Sequence, residues 1–150
     1  MNRKDLQDLE EKQTLWGLRD LRGSILRETI WMSDLVLSEE NVVQPDILLV
    51  RKERTDIIGE ANITAAPDLV IEILSAGSRC KDLELKRKTY AQFGIQEYWV
   101  IDPDAETAEV LVWSKLGYVT AATYAKSLSL SSPLLPDLNL PLSEIFAETA

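Results

Sequence analysis

A chain of 150 residues that is 45% hydrophobic is sized for one domain with one core, and folding at this length buries roughly 70% of the surface of the extended chain. With no histidine, the chain excludes a Ser-His-Asp triad, a Cys-His pair and a histidine-ligated zinc or iron site, and its single cysteine, Cys80, excludes an internal disulfide and a zinc cluster of cysteines. Catalysis is left to carboxylates, lysine, arginine, hydroxyls and an oxygen-liganded ion such as magnesium or manganese, while the net charge of -9 opposes broad attraction to nucleic acid and leaves room for a local positive groove. No apolar run reaches the length of a membrane span, and Met1 to Asp5 lacks the apolar core of a signal peptide, so the expectation is a cytoplasmic protein.

Residues 1–29 carry mixed charge around Leu6, Leu9, Leu15, Trp16, Leu18, Leu21, Ile25 and Leu26, a spacing that predicts one or two amphipathic helices interrupted near Gly17 and Gly23. Ile30 to Leu37 predicts a strand containing Trp31, and Ser38 to Asn41 a turn. A second strand is predicted over Val42 to Val50, pairing properly only after Pro45, with Asp46, Leu48 and Val50 on one face. Arg51-Lys52-Glu53-Arg54 reads as a solvated basic cluster ahead of a short helix or loop.

The third strand organises the chain. Leu69 to Leu74 is apolar on both faces, as a strand in the middle of a sheet is, and a single acid, Glu72, stands inside it. An ionised carboxylate left alone in an apolar interior costs several kcal/mol, so such a group is paired, protonated or bound to a metal. Asp68 shares its strand face but lies roughly 13 Å away, too far to hold the same ion, so a second ligand must come from another strand.

A helix is predicted from the Ser78 cap to Gly94, with Leu83, Tyr90, Ala91 and Phe93 facing inward. Lys86 falls inside that apolar stripe, either snorkelling along its edge or aimed at an acid. Arg79 to Lys88 holds five basic residues against two acidic ones. Gln96 to Ile101 is the next strand, so strand, helix and strand form a βαβ unit with parallel strands. Glu109 to Trp113 and Tyr118 to Tyr124 read as a hairpin, Ser132 to Asp137 as an extended tail, and Leu142 to Phe146 as a short closing helix. Trp31, Trp99 and Trp113 read as core residues.

Asp46, Glu72 and Lys86 could together bind a divalent ion and position a water. The stretch Leu37 to Asp46, then Ala66 to Ser75, then Lys86, Tyr90, Gly94, Glu97-Tyr98-Trp99 and Asp102-Pro103, resembles the Uma-two family of the PD-(D/E)XK, restriction-endonuclease-like superfamily. The similarity extends to Ser132-Pro133-Leu134-Leu135 and Ser143-Glu144-Ile145-Phe146. It implies an α/β fold, a single restriction-endonuclease-like domain with a mixed central sheet flanked by helices. The core would span 33–147, after a shortened helical and strand region at 1–32.

The resemblance further implies a DNA endonuclease using magnesium or manganese. Asp46 and Glu72 would hold the metal and Lys86 would be the catalytic lysine moved to the helix, since Leu74 stands where the motif's lysine would be. Asp68 would be a supporting acid, and Arg79, Lys81 and Arg87 would contact phosphates. A homodimer is expected. The reading from another class is a catalytically silent module of the same fold that serves as a homodimeric interaction surface.

Overall fold

The computed structural model describes residues 28–31, 34–75 and 81–146. The predicted helical region lies outside them as far as residue 27, with Glu28 and Thr29 belonging to a strand instead, and the Ser78 cap also lies outside. Six strands make the main sheet: β1 (Glu28–Trp31), β4 (Ile47–Val50), β5 (Leu69–Ile73), β6 (Glu97–Asp102), β7 (Thr107–Ser114) and β8 (Gly117–Ala125), in the order β1-β4-β5-β6-β7-β8. Its strands pair antiparallel except β5 with β6. The helix α1 (Lys81–Gln92) carries the chain between those two, as the long crossover of a parallel pair requires. Two small antiparallel pairs complete the fold: β2 (Leu35–Val36) with β3 (Val42–Val43), and β9 (Ser129–Leu130) with β10 (Leu140–Pro141), ahead of the closing helix α2 (Leu142–Ile145).

Two predicted strands divide. The Ile30–Leu37 stretch splits because its halves take different partners: Trp31 pairs with Ile47 in the main sheet, while Leu35 pairs with Val43. Val42–Val50 breaks around Pro45, which has no N–H for a ladder, so the main-sheet pairing starts at Ile47.

Both faces of the sheet are covered, which is why β4 and β5 read as continuous apolar runs. On one face Ile47, Leu49, Leu69, Ile71, Ile73, Trp99, Ile101 and Val110 pack under Leu130, Leu135, Leu138, Leu140, Leu142, Ile145 and Phe146 from the C-terminal tail. On the other, Leu48, Val50, Val70, Tyr98 and Leu111 pack against Tyr90 and Leu83 of α1, Ile95 after it, and Leu35, Ile57, Ile58 and Ile63. Each fully buried aliphatic side chain contributes about 1.5–3 kcal/mol, so sheet burial outweighs the weak amphipathicity of α1, whose exposed Leu85 breaks the pattern.

Helix α1 stops where the chain must turn left-handed. Gly94 has φ +68°, and Gly94 and Ile95 donate backbone N–H groups to the carbonyls of Ala91 and Tyr90, closing the last turn. The Trp113 indole N–H donates to the Ala91 carbonyl at 2.8 Å. Trp113 is therefore not the core residue its strand pattern predicts; it is 38% exposed and lies over the helix end, whereas Trp99 is buried.

The tail is fastened by an acid that the sequence pattern hides. Glu97, at the start of β6, is buried on the tail side and accepts from the Trp99 indole N–H (2.8 Å) and the Ser132 hydroxyl (2.6 Å) through Oε1, and from the Leu134 N–H (2.9 Å) through Oε2.

Candidate active site

The antiparallel register of β4 and β5 sets Ile47 opposite Ile71 and Leu48 opposite Val70, which places Asp46, one residue before β4, opposite Glu72. Opposed side chains point to the same face, so both carboxylates face α1. They lie close enough for their charges to act on one another, and Asp46 Oδ2 accepts from the Ile73 N–H at 2.7 Å. That bond ties the bend before β4 to the end of β5.

The helix supplies two donors to Glu72 from positions four apart, which lie on one helical face. Lys86 Nζ stands 3.3 Å from Glu72 Oε2, and the Tyr90 hydroxyl donates to Oε1 at 2.6 Å. Glu72 is buried and Lys86 is 21% exposed, so the ion pair opens toward solvent at its lysine end. Beneath it, Tyr90 and Tyr98 meet edge to face with ring centroids 5.4 Å apart, and Tyr118 lies 5.5 Å beyond.

Like charges directly opposite in a sheet are destabilising, and burial makes them more so. Burial pushes the Glu72 carboxyl up to about 7, opposed by the Tyr90 hydrogen bond and the Lys86 charge and reinforced by the Asp46 charge. Burial likewise raises Asp46, while the Ile73 N–H and the Lys86 charge pull it down. The pair thus resists carrying two negative charges without a neighbouring cation, a role that Lys86 fills at 3.3 Å from Glu72.

This has a stability consequence with a definite sign. A carboxyl with a higher pKa folded than unfolded takes up protons on folding between the two values, so its stabilisation is full below pH about 4.5 and is lost as pH rises through about 7. The loss is at most roughly 3 kcal/mol. Urea unfolding at pH 5 and pH 8 should therefore show a drop in the wild type that shrinks in Glu72→Gln; identical pH slopes in the two would place the raised ionisation elsewhere.

The remaining predicted site residues lie elsewhere. Asp68 sits at the entrance of β5 in a separate cluster, accepting from the Arg51 N–H (2.8 Å) and pairing with Arg54 (2.9 Å), whose other nitrogen donates to the Ala66 carbonyl at 2.7 Å. Arg51 reaches the Leu134 carbonyl at 3.3 Å, so two members of the cluster expected to be merely solvated hold loops together. Arg87 is exposed on α1, its guanidinium 3.4 Å from the Tyr118 carbonyl. Lys81 opens α1, and Arg79 and the side chain of Lys81 lie outside the described residues. Among the described residues no group of three or more His, Cys, Asp or Glu side chains comes together as a metal cluster. No described helix is long and apolar enough to cross a membrane.

Tyr90 is the residue that sequence reasoning undervalued. Its place in the apolar stripe of α1 marks it as core, which it is; the signal for more was its spacing of four from Lys86.

The model of the Uma2 family, described as "Putative restriction endonuclease", matches residues 12–143. The chain belongs to this family. Uma2 membership and the sheet topology together place the fold in the PD-(D/E)XK, restriction-endonuclease-like superfamily. A crystal structure from Anabaena variabilis ATCC 29413, described as "a putative nuclease belonging to DUF820", is similar with a TM-score of 0.65 and 20% sequence identity, covering 94% of this chain and 78% of that one. At that identity the likeness is one of fold. No curated protein sequence matches this Uma2 chain.

Proposed function

We propose that this Uma2 protein is a metal-dependent endonuclease that hydrolyses phosphodiester bonds in DNA, with Asp46 and Glu72 holding magnesium or manganese and Lys86 as the catalytic cation. The observation that carries this reading is the convergence of the buried Glu72 of β5 and the half-buried Asp46, at the entrance of β4, with a lysine from the next helix. The donor set suits a hard divalent ion: both acids offer oxygen, and both are held above their ordinary ionisation range until positive charge arrives. When bound there, such an ion supplies Lewis acidity toward a phosphoryl oxygen and lowers the pKa of a coordinated water.

The protein's own groups do the rest. Glu72, gripped on one oxygen by Tyr90, is fixed in direction. Lys86 stands at the solvent edge of the pair, where its ammonium can offset charge building on a phosphate. Arg87, exposed one residue on, and Arg79 and Lys81, earlier in the same stretch of sequence, give the acidic chain a local positive run for the DNA backbone. Lys86→Met should lower the rate of DNA cleavage in manganese by about 10²–10³-fold; a rate within twofold of wild type on the same plasmid substrate would remove the lysine from the chemistry.

One observation favours a second reading. Both Glu72 oxygens and Asp46 Oδ2 already have internal donors, so the constellation is also satisfied as a polar core in a silent, homodimeric module. Metal uptake separates the two.

A further inference from the structure

Two tyrosines lie side by side under the acid pair, equally buried, and their hydroxyls differ. Among the described residues the buried Tyr98 hydroxyl has no hydrogen-bond partner, whereas the Tyr90 hydroxyl makes a 2.6 Å bond to Glu72 Oε1. An oxygen–oxygen distance this short is typical of a charge-assisted bond, among the stronger kinds in a protein. Of the two, the Tyr90 hydroxyl is the one that meets the acid pair.

We propose that Tyr90 is a positioning residue that assigns the two oxygens of Glu72, holding Oε1 toward the interior and leaving Oε2 to the side of Lys86 and the metal. The proposal rests on the reading of Asp46 and Glu72 as the metal pair. Tyr90 is held rigidly enough to act in this way, since its side chain is fully buried, its ring abuts Tyr98 at 5.4 Å with 70° between the planes, and its carbonyl accepts the Ile95 N–H that closes α1. Lys86, one turn earlier on the same face, meets the other oxygen at 3.3 Å. Two donors on one rigid helix face, each on a different oxygen, stop the carboxylate from rotating about its last bond. Asp46 is fixed in a comparable way by the Ile73 N–H. Both members of the pair are thus oriented before any ion arrives, as outer hydrogen bonds orient ligands in metal sites generally. Burial and the Glu72 charge push the ionisation of Tyr90 further up, so it stays a donor throughout the working pH range.

Tyr90→Phe and Tyr98→Phe, each in the full chain, separate this from a packing role. Crystal structures would show the Glu72 conformer, and calorimetric titration with manganese would show affinity. Tyr90→Phe should weaken manganese binding about 10–100-fold and leave Glu72 in more than one conformation, while Tyr98→Phe should change neither. Wild-type binding of manganese that Tyr90→Phe matches within twofold, whatever its melting temperature, overturns the proposal and leaves the metal site standing. If the wild type takes up no manganese and Tyr90→Phe still releases the Glu72 conformer, the nuclease reading falls and Tyr90 keeps its positioning role. A Glu72 conformer unchanged in Tyr90→Phe overturns the proposal in either case.

Discussion

Replacing Glu72 with glutamine is expected to abolish DNA cleavage and leave the fold intact. Glutamine has the same shape and keeps an oxygen for the Tyr90 hydroxyl, so the packing of β5 against α1 survives. What it loses is the charge on one of the two acids, and with it the reason for a divalent ion to sit between strands β4 and β5. The melting temperature should stay near wild type at pH 5 and rise relative to it above pH about 7, because the substitution also removes the repulsion between Asp46 and an ionised Glu72. Plasmid cleavage and circular dichroism on the same sample check both halves. Cleavage at the wild-type rate with a folded Glu72→Gln protein would take Glu72 out of the chemistry.

The largest expected effect on stability lies at the other end of the sheet. Glu97→Ala strips the Trp99 indole, the Ser132 hydroxyl and the Leu134 N–H of their common acceptor and leaves a cavity beneath the tail. Unsatisfied buried donors cost about 1–3 kcal/mol each when water cannot reach them, and partial relaxation brings the expected total to roughly 3–5 kcal/mol. For a domain of this size that corresponds to a fall in melting temperature of about 10 °C. Glu97→Gln should lose less, since it keeps one acceptor oxygen but turns an amide N–H toward either the Leu134 N–H or the Trp99 and Ser132 donors. Glu97 pairs with Leu69 in the register, three residues along from Glu72, so manganese affinity of the folded variants should match wild type. Differential scanning calorimetry decides the matter; a Glu97→Ala protein melting within 2 °C of wild type, a shift under ~1 kcal/mol, would show that the tail does not depend on this acid.

The contrast between Glu72 and Glu97 shows which parts of this protein were legible in its residues. Glu72 stands out because it interrupts an apolar run, and an acid there demands a partner. Glu97 opens a strand, where an acid ordinarily meets solvent, and its burial depends on a tail that returns from 35 residues away. The parallel β5–α1–β6 unit and the β7–β8 hairpin follow from local periodicity, and both are present. The division of Ile30–Leu37 between two sheets is not local information, because each half is stabilised by a different distant strand.

The same logic applies within the site. Lys86 could be singled out as a charge in an apolar stripe, and Asp46 as an acid at the start of a buried strand. Tyr90 was harder to single out, since a tyrosine in such a stripe is ordinary and its spacing of four from Lys86 gains meaning only once its hydroxyl is seen on Glu72. The latch of Arg54 on Asp68 joins residues 14 apart through an irregular turn with no periodic signature.

The central claim is that Asp46 and Glu72 form a site for a divalent ion. Calorimetric titration of manganese into the wild type and into Glu72→Gln at pH 8, where the pair is more fully ionised, tests it without a choice of DNA substrate. Binding of manganese by the wild type, lost in Glu72→Gln, is the result expected. A wild type that takes up no manganese, or a Glu72→Gln protein that binds it as tightly, would contradict the claim.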